Sequence, residues 1–392
     1  MPRRRKPRKA RRGDGWFLPW PYLIGALVGG AIVATALLWV GQPLLDRHRA
    51  KTLRPLDPLR TPAREFPWTT HPPAAFPVPP YARFLEGVQI ALDPGHVGQR
   101  DPGGTWKRGP TGLREAEVNL RVAQFLREFL DAVGAKVVLT RTEDRSLDLP
   151  DKEDFRQRAA VANELRADLF LSIHHNANDK PEPNYTSVFY HGAAGDNPAS
   201  VAAGRFLLAG LNDALRLETH LECALLSDFA VYDRNGFAVL RLAEVPAVLT
   251  EASFHSNPEE ERRLRDPVYN RREAYGLFLG LARWAQAGLP RVALLEPGNG
   301  AAKRGGEATV GLDDGLSARG GWGADQNRIL PDSVVVRVDG QAARFRLDLG
   351  KRQLRVTLPA VKGDTCTLWV DFENVFGQHV LHPELRVSLR GR

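Results

Sequence analysis

Four side chains in this 392-residue chain have the types needed to bind a divalent metal or to work beside one. His96 follows the apolar run Val88–Leu92 in Asp93-Pro94-Gly95-His96, and His174 follows Leu169–Ile173 in "SIHHNAN". Glu251 follows Ala247–Thr250 in "VLTEASFHSN", and Glu115 opens a helical stripe in "GLREAEVNL". Two histidines and one glutamate around zinc, with a fourth position left to water, make a common hydrolytic centre. The metal acidifies that water and polarises the carbonyl under attack. A further carboxylate then serves as general base. A single histidine after a strand is ordinarily a capping or surface residue. Four such groups at corresponding places are what point to a metal hydrolase. Gly95 and Gly98 would let the backbone approach the metal, and Pro94 would stiffen the turn that presents His96.

These groups need a scaffold that brings distant positions to one edge. Val88–Leu92, Lys136–Thr140, Leu169–Ile173 and Ala247–Thr250 read as strands. Between them, Glu115–Val133, Asp154–Leu165, Ala199–Leu217 and Tyr269–Ala287 carry apolar residues at helical spacing. Strand–helix alternation predicts an α/β layer with a mostly parallel sheet flanked by helices. In such sheets reactive groups gather beyond the C-terminal ends of the strands, where His96, His174 and Glu251 would stand. The segment from Leu217 to Val239 precedes the Glu251 strand and reads as a connection lining the pocket rim, with a lid as the alternative. After Pro290 the pattern changes to short alternating strands, about seven over the last hundred residues, with Asp339-Gly340 as a turn signal. This predicts a small, Ig-like all-β sandwich.

The net charge of +8 comes from residues 1–12, which carry eight Lys or Arg and no acid. A basic tail on a neutral body is not a nucleic-acid groove. Leu23–Val40 is 18 residues without a charge, about 27 Å as a helix and close to the thickness of a bilayer core. With the denser basic cluster ahead of it, a single-pass helix with its N-terminus inside is expected; a cleaved signal peptide is the alternative. Residues 43–84 hold ten prolines, as an extended spacer would. Cys223 and Cys366 stand far apart with no C-x-x-C, so neither a disulfide framework nor a thiolate metal site is indicated.

From about Val88 to Ala287 the chain resembles the zinc-dependent N-acetylmuramoyl-L-alanine amidases of the type 3 class. The resemblance lies in "LDPGHVGQRDPGG", "LREAEVNLRVA", the block from Val137 to Ala177 and "VPAVLTEASFHSNPEE". It implies zinc held by His96, Glu115 and His174, with Glu251 as the base that takes a proton from water and passes it to the leaving amine. The substrate implied is peptidoglycan, cut between N-acetylmuramic acid and L-alanine of the stem peptide. Glu117 becomes the helix cap or an outer support, and Asn176 a candidate substrate contact. His175, His191 and His255 are left as structural or rim residues. His175 and His255 replace residues that are small or apolar in the family, which would reshape the pocket without touching the metal. The expected layout is a basic cytoplasmic tail (1–22), a transmembrane anchor (23–40), a linker (41–84), the zinc amidase domain (85–289) and the sandwich (290–392). Wall binding, partner binding and mechanical support are three open roles for the sandwich. The rival readings are a zinc peptidase acting on stem peptides and a wall-binding protein with a spent amidase fold. The site would lie outside the cytoplasm, in the periplasm or wall.

Overall fold

The computed structural model describes residues 76–96, 107–144, 149–219, 221–298, 300–316, 328–360 and 363–390. The basic tail, the apolar run 23–40 and most of the linker lie outside these residues. Among the described residues no helix is long and apolar enough to cross a membrane.

The first part of the fold runs β1 (Gln89–Pro94), α1 (Glu115–Asp131), β2 (Lys136–Leu139), α2 (Asp151–Leu165), β3 (Leu169–Asn176), β4 (Ser187–Tyr190) and α3 (Pro198–Leu215). It continues with β5 (Leu225–Ser227), the one-turn α4 (Phe229–Tyr232) and α5 (Ala238–Arg241), β6 (Ala247–Phe254), α6 (Pro258–Leu264) and α7 (Pro267–Gln286). The strands form one sheet in the order β2-β1-β3-β6-β4-β5. It is parallel except where β4 meets β6.

Strand parity assigns the faces. Ile90, Leu92, Leu169, Leu171, Ile173 and Val248 pack into the core shared with α1, α3 and α7. Ala91, Phe170, Ala247 and Leu249 face the other way, into a smaller core with α2 and α5. Both faces are covered, which is why these strands read as unbroken apolar runs. On the larger face α3 and α7 meet at Gly210 and Gly276, where a Cβ on either would strike the other's backbone.

Three expectations need correction. β3 and β6 run on through His174 and Glu251, which pair in register, and past a register shift to Asn176 opposite Phe254. The elements β4, β5 and α6 were not legible, being too short for a periodic signal. The end of the expected linker is part of the body. Pro80–Leu85 is a 3₁₀ helix with Ala82 and Leu85 buried, and Phe76 sits in an aromatic cluster with Phe129 and Tyr275. The Tyr275 hydroxyl donates to the Pro77 carbonyl over 2.7 Å.

The last part holds β7 (Arg291–Glu296), β8 (Ala302–Lys303), β9 (Glu307–Asp313), β10 (Val335–Val338) and β11 (Gln341–Ala342), then β12 (Phe345–Asp348), β13 (Gln353–Thr357), β14 (Thr365–Asp371) and β15 (Glu384–Arg390). Two sheets, β11-β10-β14-β15-β8 and β12-β13-β9-β7, enclose one apolar core that includes Val310, Leu354, Leu368 and Val387. The two-residue strands β8 and β11 exceed the expected seven, and β8 pairs parallel to β15. This part is docked, not merely tethered. Leu381 is buried in the larger core of the α/β part, Arg291 Nη2 donates to Asp168 Oδ1 over 2.8 Å, and Asn374 Nδ2 donates to the Ala287 carbonyl over 2.9 Å.

Candidate metal centre

β1, α1 and β3 bring His96, Glu115 and His174 together. One ligand atom from each lies within 4.8 Å of the other two. Glu115 is the hub: Oε2 stands 2.7 Å from His96 Nε2, and Oε1 stands 3.1 Å from His174 Nδ1. The two imidazoles meet edge to face, with centroids 4.7 Å apart. Gly95 is required here, since a Cβ on it would fall inside the His174 ring. Gly98 lies outside the described residues.

His96 has a left-handed backbone (φ 62°), a conformation that costs about 1–3 kcal/mol and persists only when its surroundings over-determine it. Two buried arginines do this. Arg158 donates to the Pro94 carbonyl over 3.1 Å and to the His96 carbonyl over 2.8 Å. Arg141 donates to the carbonyls of Pro94 and Gly95 over 2.9 and 3.1 Å, and to Ala116 over 2.6 Å. Asp93 sits beneath them and accepts from Arg158, Thr140 and Ser172 over 2.8, 2.7 and 2.7 Å. Burial works against its charge, yet Arg158 and the two hydroxyls hold its carboxyl below the usual range. Burial and the neighbouring Arg158 push Arg141 down to about 10. Glu261 fixes the approach to α1, accepting from the Thr111 amide over 2.8 Å and the Leu113 amide over 3.0 Å.

Glu251 faces the same side of the sheet as His174. Burial pushes its carboxyl well above the ordinary range, and the Glu115 charge adds to this. Its Oε2 is buried without a hydrogen-bond partner among the described residues. Glu115 behaves oppositely: burial would raise it, but His96 and His174 hold it well below the ordinary carboxylate range. Burial lowers His174 despite Glu115, which favours the neutral, ligating imidazole. These four groups open onto a cleft of about 910 Å³. Its floor includes Asn176; its walls are the start of α2 and residues 231–239. The connection before β6 therefore lines the rim. Asp228 pins it, accepting from His191 Nδ1 and the Phe237 amide over 2.9 and 2.8 Å.

Other expectations fare differently. Glu117 is neither cap nor outer support; it faces solvent near Arg114 and Arg121 at 3.6 and 3.7 Å. Asn176 lines the cleft, but its Oδ1 accepts from the Ala177 amide over 2.8 Å, as in a turn. His191 supports the rim from behind by its contact with Asp228 and does not line the cleft. His175 and His255 take the structural role instead: both are buried, His175 against Asn119 and Glu273, His255 with Nε2 3.6 Å from Glu115 Oε2. Asp93, Asn119, Arg141, Arg158 and Glu273 escaped sequence reasoning. Asp154 and Arg158, four apart in α2, left a signal there as charges that a helix pairs.

The donor set suits zinc: two imidazoles and one carboxylate, buried or half-buried, converging at one place with a second carboxylate alongside. Residues 90–283 match the N-acetylmuramoyl-L-alanine amidase family Amidase_3. The amidase LytC of Bacillus subtilis is 32% identical over 198 residues, 50% of this chain and 35% of that protein. The germination-specific amidase of the same organism is 31% identical over 214 residues, 52% of this chain and 83% of its own length. The solved structure of AmiC2 from Nostoc punctiforme aligns with 51% of this chain and 99% of its own at 25% identity, with a TM-score of 0.43. The chain thus spans about a third of one curated relative and most of another. With its site motifs inside the matched span, the chain belongs to the N-acetylmuramoyl-L-alanine amidase family.

Proposed function

We propose that this chain hydrolyses the amide between N-acetylmuramic acid and L-alanine in peptidoglycan. The observation that carries the reading is the convergence of His96, Glu115 and His174 opposite Glu251 in one cleft, within a family match over residues 90–283. We assign His96, Glu115 and His174 as zinc ligands and Glu251 as general base. Bound there, zinc would supply Lewis acidity to the scissile carbonyl and acidify water. Glu251 takes the proton from the attacking water and returns it to the leaving amine. Its raised proton affinity suits both halves of that cycle, and a neighbouring cation would draw it back toward neutrality. Asn176, on the cleft floor, offers its amide nitrogen to the substrate while its oxygen holds the turn. We assign the apolar run 23–40 as a membrane anchor that leaves the cleft outside the cytoplasm, beside the wall. The domain layout read from the sequence stands with this proposal, with the start of the folded body moved to Phe76.

Incubating the full chain with purified muropeptides, with and without a chelator, and identifying products by mass tests the reading. Release of free stem peptide that the chelator stops supports it; cleavage within the stem peptide instead identifies a zinc peptidase. Glu251→Gln should keep one equivalent of zinc and lose about 10²-fold or more in rate. Near-normal turnover in that variant removes Glu251 from the role of base.

A further inference from the structure

His174 and His175 are neighbours on β3, so their side chains leave opposite faces of the sheet. His174 enters the cleft. His175 enters the helix layer, fully buried, between α1 and α7. Its Nδ1 stands 2.8 Å from Asn119 Oδ1 and its Nε2 stands 2.9 Å from Glu273 Oε2. Asn119 Nδ2 in turn donates to Glu115 Oε1 over 3.2 Å and to the Gly95 carbonyl over 3.3 Å.

The chain of contacts admits one orientation of the Asn119 amide. The Glu115 carboxylate and the Gly95 carbonyl can only accept, so the nitrogen must face them. The amide oxygen then faces His175, and Nδ1 must carry a proton, whichever of His175 and Glu273 holds the proton between them. The His175 backbone amide also donates to Glu115 Oε1 over 3.1 Å. One carboxylate oxygen is thus fixed by two groups from outside the cluster. Partners that orient a metal's ligands commonly change metal affinity 10–100-fold when removed.

We propose that His175 is a positioning residue: by holding the Asn119 amide in place it orients Glu115 and sets the metal affinity of the His96–Glu115–His174 cluster. This rests on the metal site proposed above. His175 acts through Asn119 and touches neither substrate nor reacting atoms. Glu273 keeps the ring in register from the far side of the layer, on α7, so the site's affinity is tied to the packing of a helix that does not line the cleft.

The test is zinc titration of the full chain in competition with a chromophoric chelator, with the unfolding midpoint of the metal-free protein recorded alongside. His175→Phe keeps the ring volume but cannot donate; zinc affinity should fall about 10-fold or more. His175→Asn places an amide nitrogen where Nδ1 stood. It should stay within about threefold of the native affinity although it leaves a cavity and lowers the metal-free midpoint. A purely structural role predicts the reverse, with affinity following the midpoint in both variants, and would overturn the proposal. So would native affinity in His175→Phe. Should that variant not fold, Asn119→Leu carries the test: it is close in size, adds no charge, cannot donate to Glu115, and must lose at least as much affinity. If the native chain itself fails to take up one equivalent of zinc, the site assignment falls and this inference with it.

Discussion

At the C-terminal edge of the six-stranded sheet, Asp93, Glu115, Asn119, Arg141, Arg158 and His175 are all buried, and each is held by named partners. Between the two sheets of residues 291–390 the described residues form one large cluster of buried apolar side chains. Of the polar groups buried in that part, Asp314 and Asn374 sit at the junction with Ala287 and Gly288, while Thr309 and Asp371 are paired locally with Glu296 and His379. Buried charges are costly to desolvate, and apolar replacements of similar volume often match or exceed their stability. A fold keeps them where geometry has to be set. The contrast therefore separates a region that positions chemistry from one that supplies cohesion.

The sharpest way to break this contrast is Arg158→Met. It strands the Asp93 and Asp154 carboxylates and frees the His96 carbonyl. Loss of one partner from a buried pair costs about 3–5 kcal/mol, read by urea unfolding, and zinc retention should fall with it. A loss under about 1 kcal/mol would show that the polar edge is no tighter than an ordinary surface. Leu354→Ala, in the centre of the apolar core, should cost about 2–5 kcal/mol. Zinc affinity should be unchanged, and a shift in it would mean that the two regions are energetically one.

Asp168 joins the two regions, and burial would raise its carboxyl, but His382, the Gln89 amide and Arg291 lower it. A carboxyl depressed in the folded state contributes stability above its unfolded value of about 3.9 and loses it as pH falls through the folded value. Asp168→Asn should therefore cost about 1 kcal/mol at neutral pH, since Arg291 is half-exposed. That difference should begin to shrink below about pH 4 and vanish once the pH has passed below the depressed folded value; a difference that persists beyond that would mean packing, not charge, makes the junction. The smallest effect belongs to Glu117→Ala, at under about 0.5 kcal/mol with zinc retained, because both of its ion pairs are long and only partly buried.

The strands β1, β3 and β6 were legible because both of their faces are apolar, and α1 because its stripe keeps helical spacing. Residue type and place singled out His96, Glu115, His174 and Glu251; family resemblance then gave them roles. His175 and His255 are structural, one of the two roles expected for them, but where each is buried was not legible. The strands were drawn to end at Ile173 and Thr250, where polar residues begin, so parity was not carried further. With β3 extended to Asn176, alternation sends His175 into the helix layer; His255 lies just beyond β6, past a register shift, so alternation does not place it. The bracing role of the arginines was not legible for another reason: the i,i+4 pairing of Arg158 with Asp154 shows a charge pair, not its burial, and Arg141 gives no local sign at all.

The aromatic cluster at the start of the folded body works as strain relief. Phe76 is wedged against Phe129 and Tyr275, and the Tyr275 hydroxyl grips the Pro77 carbonyl. Tension pulling on the chain ahead of Phe76 meets this grip first and is shared between α1 and α7. Phe129 lies 14 residues along α1 from Glu115, roughly 21 Å of helix. Under the anchoring proposed above, a tug on the chain has to draw an aromatic plug out of a core before it can disturb the grip of Glu115 on His96.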